Sequence, residues 1–244
     1  MKKFIALIFL SASFLLNAGS LDDFFIMTEQ YPPYNFEENS KLKGFVLDLV
    51  TEILKRDKSS LKVEDIKLLP WARSYKEILE KPKTILFSMT RSSEREKLFK
   101  WVGPVSPTKI VLLALKNKKI SIKNEADIKK LRTGAIQKDI GHQLLEKIGC
   151  PDISLSADII SNLKKLEGDR MDVWAYEENV AKWEIKNTGR NISDFEVVYT
   201  LLSADLYIAF NKSTSDEVIN AVQKISDEIK RDGTYQKIVD KYLK

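Results

Sequence analysis

Residues 84–95 read Thr-Ile-Leu-Phe-Ser-Met-Thr-Arg-Ser-Ser-Glu-Arg, an apolar run that ends in hydroxyl residues and then in a cation. A short β-branched and aromatic run of this kind predicts a buried strand that ends in a polar crevice, where open α/β sheets bind ligands. Strand alternation predicts that Ser88 and Thr90 share one face. Arg95 then offers a planar set of donors suited to a carboxylate. The alternative interpretation is a strand end followed by a solvated helix start with a serine N-cap.

The chain has 244 residues, of which 43% are hydrophobic, a composition typical of a globular protein. Two lysines precede the apolar run at 4–16, and small residues follow at 18–20. This order predicts a secretory signal peptide over residues 1–20. The apolar run is shorter than a normal membrane span, which favours export over a membrane anchor. We therefore expect a periplasmic mature protein.

Single copies of two residue types exclude several kinds of site. Cys150 is the only cysteine, so an internal disulfide is excluded. The only histidine, His142, argues against His-based triads and multi-His metal sites, and we expect it to be an exposed helix residue. Lysines are interspersed with acids at a formal net charge of +5, which argues against a nucleic-acid partner. We expect no metal, cofactor or catalytic residue.

Apolar periodicity predicts two successive α/β units. Strands and helices alternate over residues 24–115, and the alternation starts again over residues 132–186. A further strand at 206–210 leads to two helices separated by Asp232-Gly233. This alternation is typical of parallel α/β proteins.

Four ordered motifs resemble one protein family. They are Tyr31-Pro32-Pro33-Tyr34, Gly44-Phe45-Val46-Leu47-Asp48-Leu49, Ser88-Met89-Thr90 with Glu94-Arg95, and Asp232-Gly233-Thr234-Tyr235 with Asp240-Lys241-Tyr242-Leu243. Their order resembles that of the bacterial extracellular solute-binding proteins of family 3, the receptors of polar amino-acid ABC transporters. The resemblance covers nearly the whole mature chain.

The resemblance implies an α/β, two-lobed periplasmic-binding-protein type II fold with two hinge crossover strands. Lobe 1 would comprise residues 21–111 plus 208–244, and lobe 2 would comprise residues 112–207. The crossing strands would be 110–115 and 206–210. In such a protein, the two lobes close about a hinge and enclose the ligand between them.

The resemblance also implies ligand-binding residues in lobe 1. Arg95 matches the arginine that grips a ligand α-carboxylate. Ser88 and Thr90 match small polar positions that reach the ligand. Tyr31 matches an aromatic on the pocket wall, and the alternative is an aromatic that only covers the edge of the core. Independently of the resemblance, we expect Trp71 to form a flat wall for the ligand.

Lobe 2 departs from the family pattern. Glu177 stands where the family usually has an aspartate that pairs with the α-ammonium group, and the neighbouring Glu178 competes for this role. Lys138 and Asp139 stand at a helix N-terminus where small hydroxyl or glycine residues are usual, and Asp139 can cap that helix itself. Arg73 would either add positive charge near the mouth, favouring an acidic ligand, or be an ordinary surface arginine.

These expectations describe a monomeric periplasmic receptor of an ABC importer. Its ligand would be an amino acid or related carboxylate, and its partner would be an ABC permease in the inner membrane. One alternative is a dehydratase acting on prephenate-like acids on the same fold, with Glu177 as a general acid. Another alternative is a ligand-sensing module for a separate membrane receptor.

Overall fold

The structure is a computed structural model that describes residues 21–243, so the expected signal peptide lies outside the described residues. The described chain contains ten strands: β1 (Phe25–Thr28), β2 (Phe36–Glu38), β3 (Lys41–Lys43), β4 (Lys67–Leu68), β5 (Thr84–Thr90), β6 (Phe99–Leu115), β7 (Thr133–Ile136), β8 (Ile153–Ser156), β9 (Val173–Glu177) and β10 (Phe195–Asn211). It contains eight α-helices: α1 (Phe45–Arg56), α2 (Trp71–Glu80), α3 (Glu125–Ile128), α4 (Ile140–Ile148), α5 (Ile159–Glu167), α6 (Glu178–Asn187), α7 (Asp216–Arg231) and α8 (Thr234–Leu243). Short 3₁₀ turns occur at Leu21–Asp23, Val63–Asp65, Lys116–Lys118 and Ile192–Asp194.

Eight strands form one mixed sheet in the order β4-β1-β5-β10-β6-β9-β7-β8. At one end β4, β1 and β5 are mutually parallel, and at the other end β9, β7 and β8 are mutually parallel. The antiparallel pair β10 and β6 lies between these two groups. The two ends of the sheet therefore belong to two α/β lobes, which are joined by two crossing strands. This confirms the predicted two-lobed α/β fold.

The crossing strands are much longer than predicted. β6 and β10 each have 17 residues and pair with each other along their whole length. β10 pairs with β5 of lobe 1 over residues 206–210, whereas β6 pairs with β9 of lobe 2 over residues 110–113. The lobe limits at 111 and 208 stay a prediction.

Gly44 fixes the proline-containing loop 31–36 against the start of α1. Its φ of 125° lies in a region that favours glycine, and an added Cβ would lie 2.3 Å from the carbonyl oxygen of Tyr34. The same carbonyl accepts a 2.9 Å hydrogen bond from the backbone N–H of Val46. The apolar face of α1 then packs into the core. This packing holds the Tyr34 ring between the lobes.

Two local expectations fail. The predicted exposure of His142 is wrong, because its side chain is buried in α4 and its Nδ1 atom accepts a 3.1 Å hydrogen bond from the backbone N–H of Lys138. Simple alternation also breaks at Ser88, which has a φ of 62°. Met89 pairs with Tyr207 of β10 while Phe87 pairs with the next residue, so Ser88 is the extra residue of a β-bulge.

Candidate ligand-binding cleft

The carboxyl ends of the parallel strands of both lobes meet at one cleft. From lobe 1, the indole Nε1 of Trp71 donates a 2.8 Å hydrogen bond to the carbonyl oxygen of Lys138 in lobe 2. The guanidinium Nε of Arg95 donates a 3.0 Å hydrogen bond to Oε1 of Gln143 on α4. Ligands of open α/β sheets bind at such strand ends. The two lobes therefore enclose the groups that follow β1, β5, β7 and β9.

Arg95 is the central cation of this cleft. It is 1% exposed, and its Nη1 atom donates a 3.3 Å hydrogen bond to the carbonyl oxygen of Thr90. Its Nη2 atom has no hydrogen-bond partner within residues 21–243. Burial lowers the pKa of Arg95, although Asp139 is among the groups that oppose this effect. A buried arginine remains charged, so the Nη2 atom without a partner is a donor that can bind an anion.

Aromatic rings hold this guanidinium in place. The Cζ atom of Arg95 lies 5.1 Å from the ring centroid of Trp71 and 5.2 Å from that of Tyr75. Across the cleft, Tyr31 stands edge-on to Tyr176 at 6.0 Å between centroids. Rings packed in this way leave little side-chain freedom to lose when a ligand binds.

Two carboxyl groups from opposite lobes face Arg95. Burial raises the pKa of Asp139, and the nearby Arg95 partly offsets this rise. Burial likewise raises the pKa of Glu29 well above its usual range, helped by the charge of Asp139 and opposed by Arg95. Glu29 is half-buried by accessible area because it borders a cavity. Asp139 occupies the N-cap position of α4, where the nearby backbone N–H groups of Ile140 and Gly141 help to lower the pKa of its carboxyl without a well-formed capping hydrogen bond.

Glu177 is already engaged as a hydrogen-bond acceptor. Its Oε2 accepts a 2.7 Å hydrogen bond from the backbone N–H of Val180, and its Oε1 accepts one of 3.1 Å from the hydroxyl of Tyr34. Burial raises the pKa of Glu177 to about 7 against these donors. Glu178 instead pairs with Lys182 along α6 at 2.5 Å. Of the two competing glutamates, Glu177 is the one that lies between the lobes.

Beside Arg95 lies a cavity of ≈ 320 Å³, which we name the acidic chamber. Lobe 1 contributes Glu29 and Trp71 to its wall, and lobe 2 contributes Asp158, Tyr176 and Glu184. The remaining lining is mostly aliphatic. Trp71 is shared with Arg95, so the chamber and the guanidinium are adjacent.

The other predicted site residues take varied positions. Ser88 is buried, and its hydroxyl donates to Oδ1 of Asn35 inside lobe 1. Thr90 is buried beside Arg95. The Lys138 side chain is exposed and only its backbone joins the cleft contacts, while Arg73 is exposed on α2. The structure thus brings together Tyr31, Trp71, Thr90, Arg95, Asp139 and Glu177, but not the side chains of Arg73 and Lys138.

Sequence reasoning missed several residues of the cleft: Glu29, Tyr75, Gln143, Tyr176 and Glu184. Two of them carry a readable signal. Glu29 directly follows the first buried strand, as expected of a ligand-contacting residue in an α/β sheet. Glu184 falls on the apolar face of α6 with Val180, Ala181 and Ile185, where a carboxylate is out of place.

The described residues offer no evident metal site. Residues 21–243 contain no group of three or more His, Cys, Asp or Glu side chains arranged to hold a metal ion. Within the same residues, no helix combines the length and the apolar character needed to cross a membrane.

Residues 25–244 match the family model described as bacterial extracellular solute-binding proteins, family 3. A probable histidine-binding protein of Campylobacter jejuni is 25% identical over 218 residues, covering 87% of this chain and 81% of that protein. The L-cystine-binding protein TcyA of Bacillus subtilis is 25% identical over 215 residues, covering 87% and 78%.

Solved structures share the fold. An ancestral arginine-binding protein bound to arginine has a TM-score of 0.77 at 22% identity, over 92% of this chain and 100% of that one. The ancestral amino acid-binding protein AncCDT-1, a precursor of cyclohexadienyl dehydratase, has a TM-score of 0.72 at 20% identity, over 90% and 95%. At these identities the likeness concerns architecture alone.

Proposed function

Because the chain belongs to the bacterial extracellular solute-binding proteins of family 3, we propose that it is a monomeric periplasmic receptor for an amino acid or related small carboxylate. The ligand is held between the two lobes, and the receptor delivers it to an ABC permease in the inner membrane. The curated relatives, which are named as amino-acid-binding proteins, support the ligand class.

The observation that carries this proposal is the buried guanidinium of Arg95 with its unpartnered Nη2. A buried charge is unfavourable unless it is paired and hydrogen-bonded. A carboxylate is the anion whose planar geometry best matches the guanidinium. Binding the α-carboxylate of a ligand therefore satisfies a donor that the protein itself leaves open.

The ammonium group of the ligand is held from lobe 2. Asp139 presents a buried carboxyl near Arg95, and both Asp139 and Glu177 lie close enough to Tyr31 for their charges to raise the pKa of its hydroxyl. Both groups contact the ligand only when lobe 2 approaches Arg95. The ligand therefore binds the closed form more tightly than the open form, and this difference in affinity shifts the equilibrium between the two forms toward the closed one. The permease then recognises the closed surface.

A thermal-shift screen tests this function. The purified protein is heated with each of the common amino acids, small organic acids and prephenate, at about a hundred times the expected dissociation constant. A bound ligand should stabilise the folded state by roughly 2.7 kcal/mol. We expect at least one amino acid to raise the unfolding midpoint, and Arg95→Ala to abolish that rise.

Arg170→Ala is the matched control, because Arg170 is an exposed arginine of lobe 2. It should bind the same ligand as the parent. If no amino acid or carboxylate moves the midpoint, or if Arg95→Ala binds as well as the parent, the receptor proposal is wrong.

A dehydratase is the second candidate function. Its specific support is the pKa of Glu177, raised to about 7, because such a carboxyl can act as a general acid at neutral pH. Against this role, both Glu177 oxygens accept hydrogen bonds, which favours the ionised form. Turnover of prephenate by the parent protein, lost in Glu177→Gln, would replace the receptor by an enzyme.

A further inference from the structure

The acidic chamber has features that the binding of an α-amino-acid core does not explain. Its carboxylates come from both lobes. Among the described residues that line it, there is no lysine or arginine. Asp158 caps α5 and accepts hydrogen bonds from the backbone and hydroxyl of Ser161. Glu29 and Glu184 receive no such support, since neither carboxylate accepts a hydrogen bond from a described residue.

Glu184 is the more informative of the two. It is 6% exposed, and it projects from α6 into the chamber wall between Ile185 and the other apolar residues of that helix face. Burial is the only influence that raises its pKa, with no donor or cation opposing it. A buried carboxylate without a partner destabilises the folded protein. Its presence therefore points to a group that the protein does not supply.

The rest of the chamber restricts what that group can be. No metal-binding cluster of side chains exists within residues 21–243, so an organic cation fits better than a metal ion. Aliphatic side chains such as Ile136, Ile159 and Leu69 suit a hydrocarbon stem. The Trp71 and Tyr176 rings suit a cation at its end, because aromatic faces attract ammonium and guanidinium groups.

The position of the chamber connects it to the main site. Trp71 packs against Arg95, with 5.1 Å from Cζ to the ring centroid, and also lines the chamber. Glu29, another lining residue, lies near enough to Arg95 for the arginine's charge to lower the pKa of its carboxyl, so a ligand whose carboxylate binds Arg95 can extend its side chain past Glu29 into the chamber. A volume of ≈ 320 Å³ is at the lower end of small-molecule pockets and accommodates such a side chain.

We propose that the receptor selects amino acids with a long cationic side chain, and that Glu29 and Glu184 bind the distal ammonium or guanidinium group from opposite lobes. This inference rests on the receptor function proposed above. It assigns specificity to Glu29 and Glu184, a pair of carboxylates distinct from Asp139 and Glu177.

Isothermal titration calorimetry with matched ligand pairs tests the inference. L-arginine is compared with L-citrulline, its uncharged isostere, and L-lysine with L-glutamine. At least one cationic amino acid should bind about tenfold to a hundredfold more tightly than its neutral partner, the range expected for hydrogen bonds to a charged group. Glu184→Gln should remove most of this preference while the neutral partner binds as before.

Two variants keep the outcome interpretable. Glu178→Gln is the matched control on the same helix, because Glu178 pairs with Lys182 outside the chamber, and it should retain the preference. Glu184→Gln removes a buried unpaired charge, so its unfolding midpoint without ligand should equal or exceed that of the parent, which checks that it folds. If citrulline and glutamine bind as tightly as arginine and lysine, while Arg95→Ala abolishes binding of all four, the specificity inference is wrong and the receptor proposal stands. If none of the four and no other amino acid binds, the receptor proposal itself fails.

Discussion

Two cavities between the lobes differ in how their charges are held. The acidic chamber contains the carboxylates of Glu29 and Glu184, neither of which accepts a hydrogen bond from a described residue. The second cavity, ≈ 640 Å³, we name the lysine groove, and it is lined by Lys182 and Lys186 among aromatic and polar residues. Both lysines are exposed, and Lys182 is already paired with Glu178.

Charge sign alone therefore does not identify a site in this molecule. An exposed lysine is solvated and loses little when nothing binds it. A buried carboxylate without a donor is unfavourable until a cation arrives. The difference between the cavities is one of solvation, and it predicts that perturbing the chamber changes binding and stability more than perturbing the groove.

A pair of tryptophan truncations gives the largest expected contrast. Trp71 is 3% exposed and lies at the wall shared by the chamber and Arg95, whereas Trp183 lines the groove and is half-buried. Trp71→Ala should lower the free energy of unfolding by about 3–5 kcal/mol, because it removes a large side chain that is almost completely buried. Trp183→Ala should cost about 1–2 kcal/mol, since less apolar area is lost.

Urea denaturation measures both free energies, and calorimetry with the ligand identified in the screen measures binding. Trp71→Ala should also weaken binding, whereas Trp183→Ala should retain the parent affinity. Equal losses of affinity in the two variants would remove the distinction between the cavities.

The pH dependence of stability gives the next largest effect. Burial raises the pKa of Glu177 to about 7, so the folded protein holds this proton more tightly than the unfolded chain does. The resulting stability is fully present below the unfolded pKa and is lost as pH rises through about 7. For Glu177 alone the loss is at most about 3.5 kcal/mol. The raised pKa values of Glu29 and Glu184 act in the same direction.

Urea denaturation of the ligand-free protein between pH 5 and pH 8 checks this sign. The parent should lose stability relative to Glu177→Gln as pH rises, by roughly 2–3 kcal/mol over the range. Glu178→Gln, whose pair with Lys182 borders the groove, should follow the parent at every pH. A Glu177→Gln curve parallel to the parent would mean that Glu177 does not titrate in the folded state as described.

Local sequence patterns predicted most of the fold and one wall of the site. The periodic apolar residues of α1 and the apolar run of β5 each encode their own element, because burial is decided within a few residues. The first half of β6 was missed since Pro104 and Pro107 interrupt it, and prolines argue against a strand. Here the long pairing with β10 overrides the local signal.

The opposite wall depends on how the lobes meet. Arg95 could be predicted because its hydroxyl neighbours and its strand are adjacent in sequence. Gln143 is 48 residues further along and reaches Arg95 only through tertiary packing. In the sequence, Glu184 is recognisable as a charged residue on the otherwise apolar face of α6. Only the structure shows that this residue lines the acidic chamber. Contacts between lobes are therefore the part of the site that sequence patterns leave undetermined.

The smallest expected effect lies at the exposed rim of the cleft. Glu94 of lobe 1 and Lys147 of lobe 2 form a 2.6 Å ion pair, with side chains 34% and 60% exposed. A pair so open to water contributes little, because solvent screens the attraction and two long side chains must be held still. Lys147→Met should leave the free energy of unfolding nearly unchanged, and 1 M NaCl should erase any difference. Ligand affinity should change by less than about fivefold, because the ion pair contributes so little free energy to closure.

A double-mutant cycle with Glu94→Gln isolates the pair from the separate effects of each side chain. If Lys147→Met weakens binding tenfold while Glu184→Gln leaves cationic ligands unaffected, exposed contacts govern closure and the solvation argument for the acidic chamber fails.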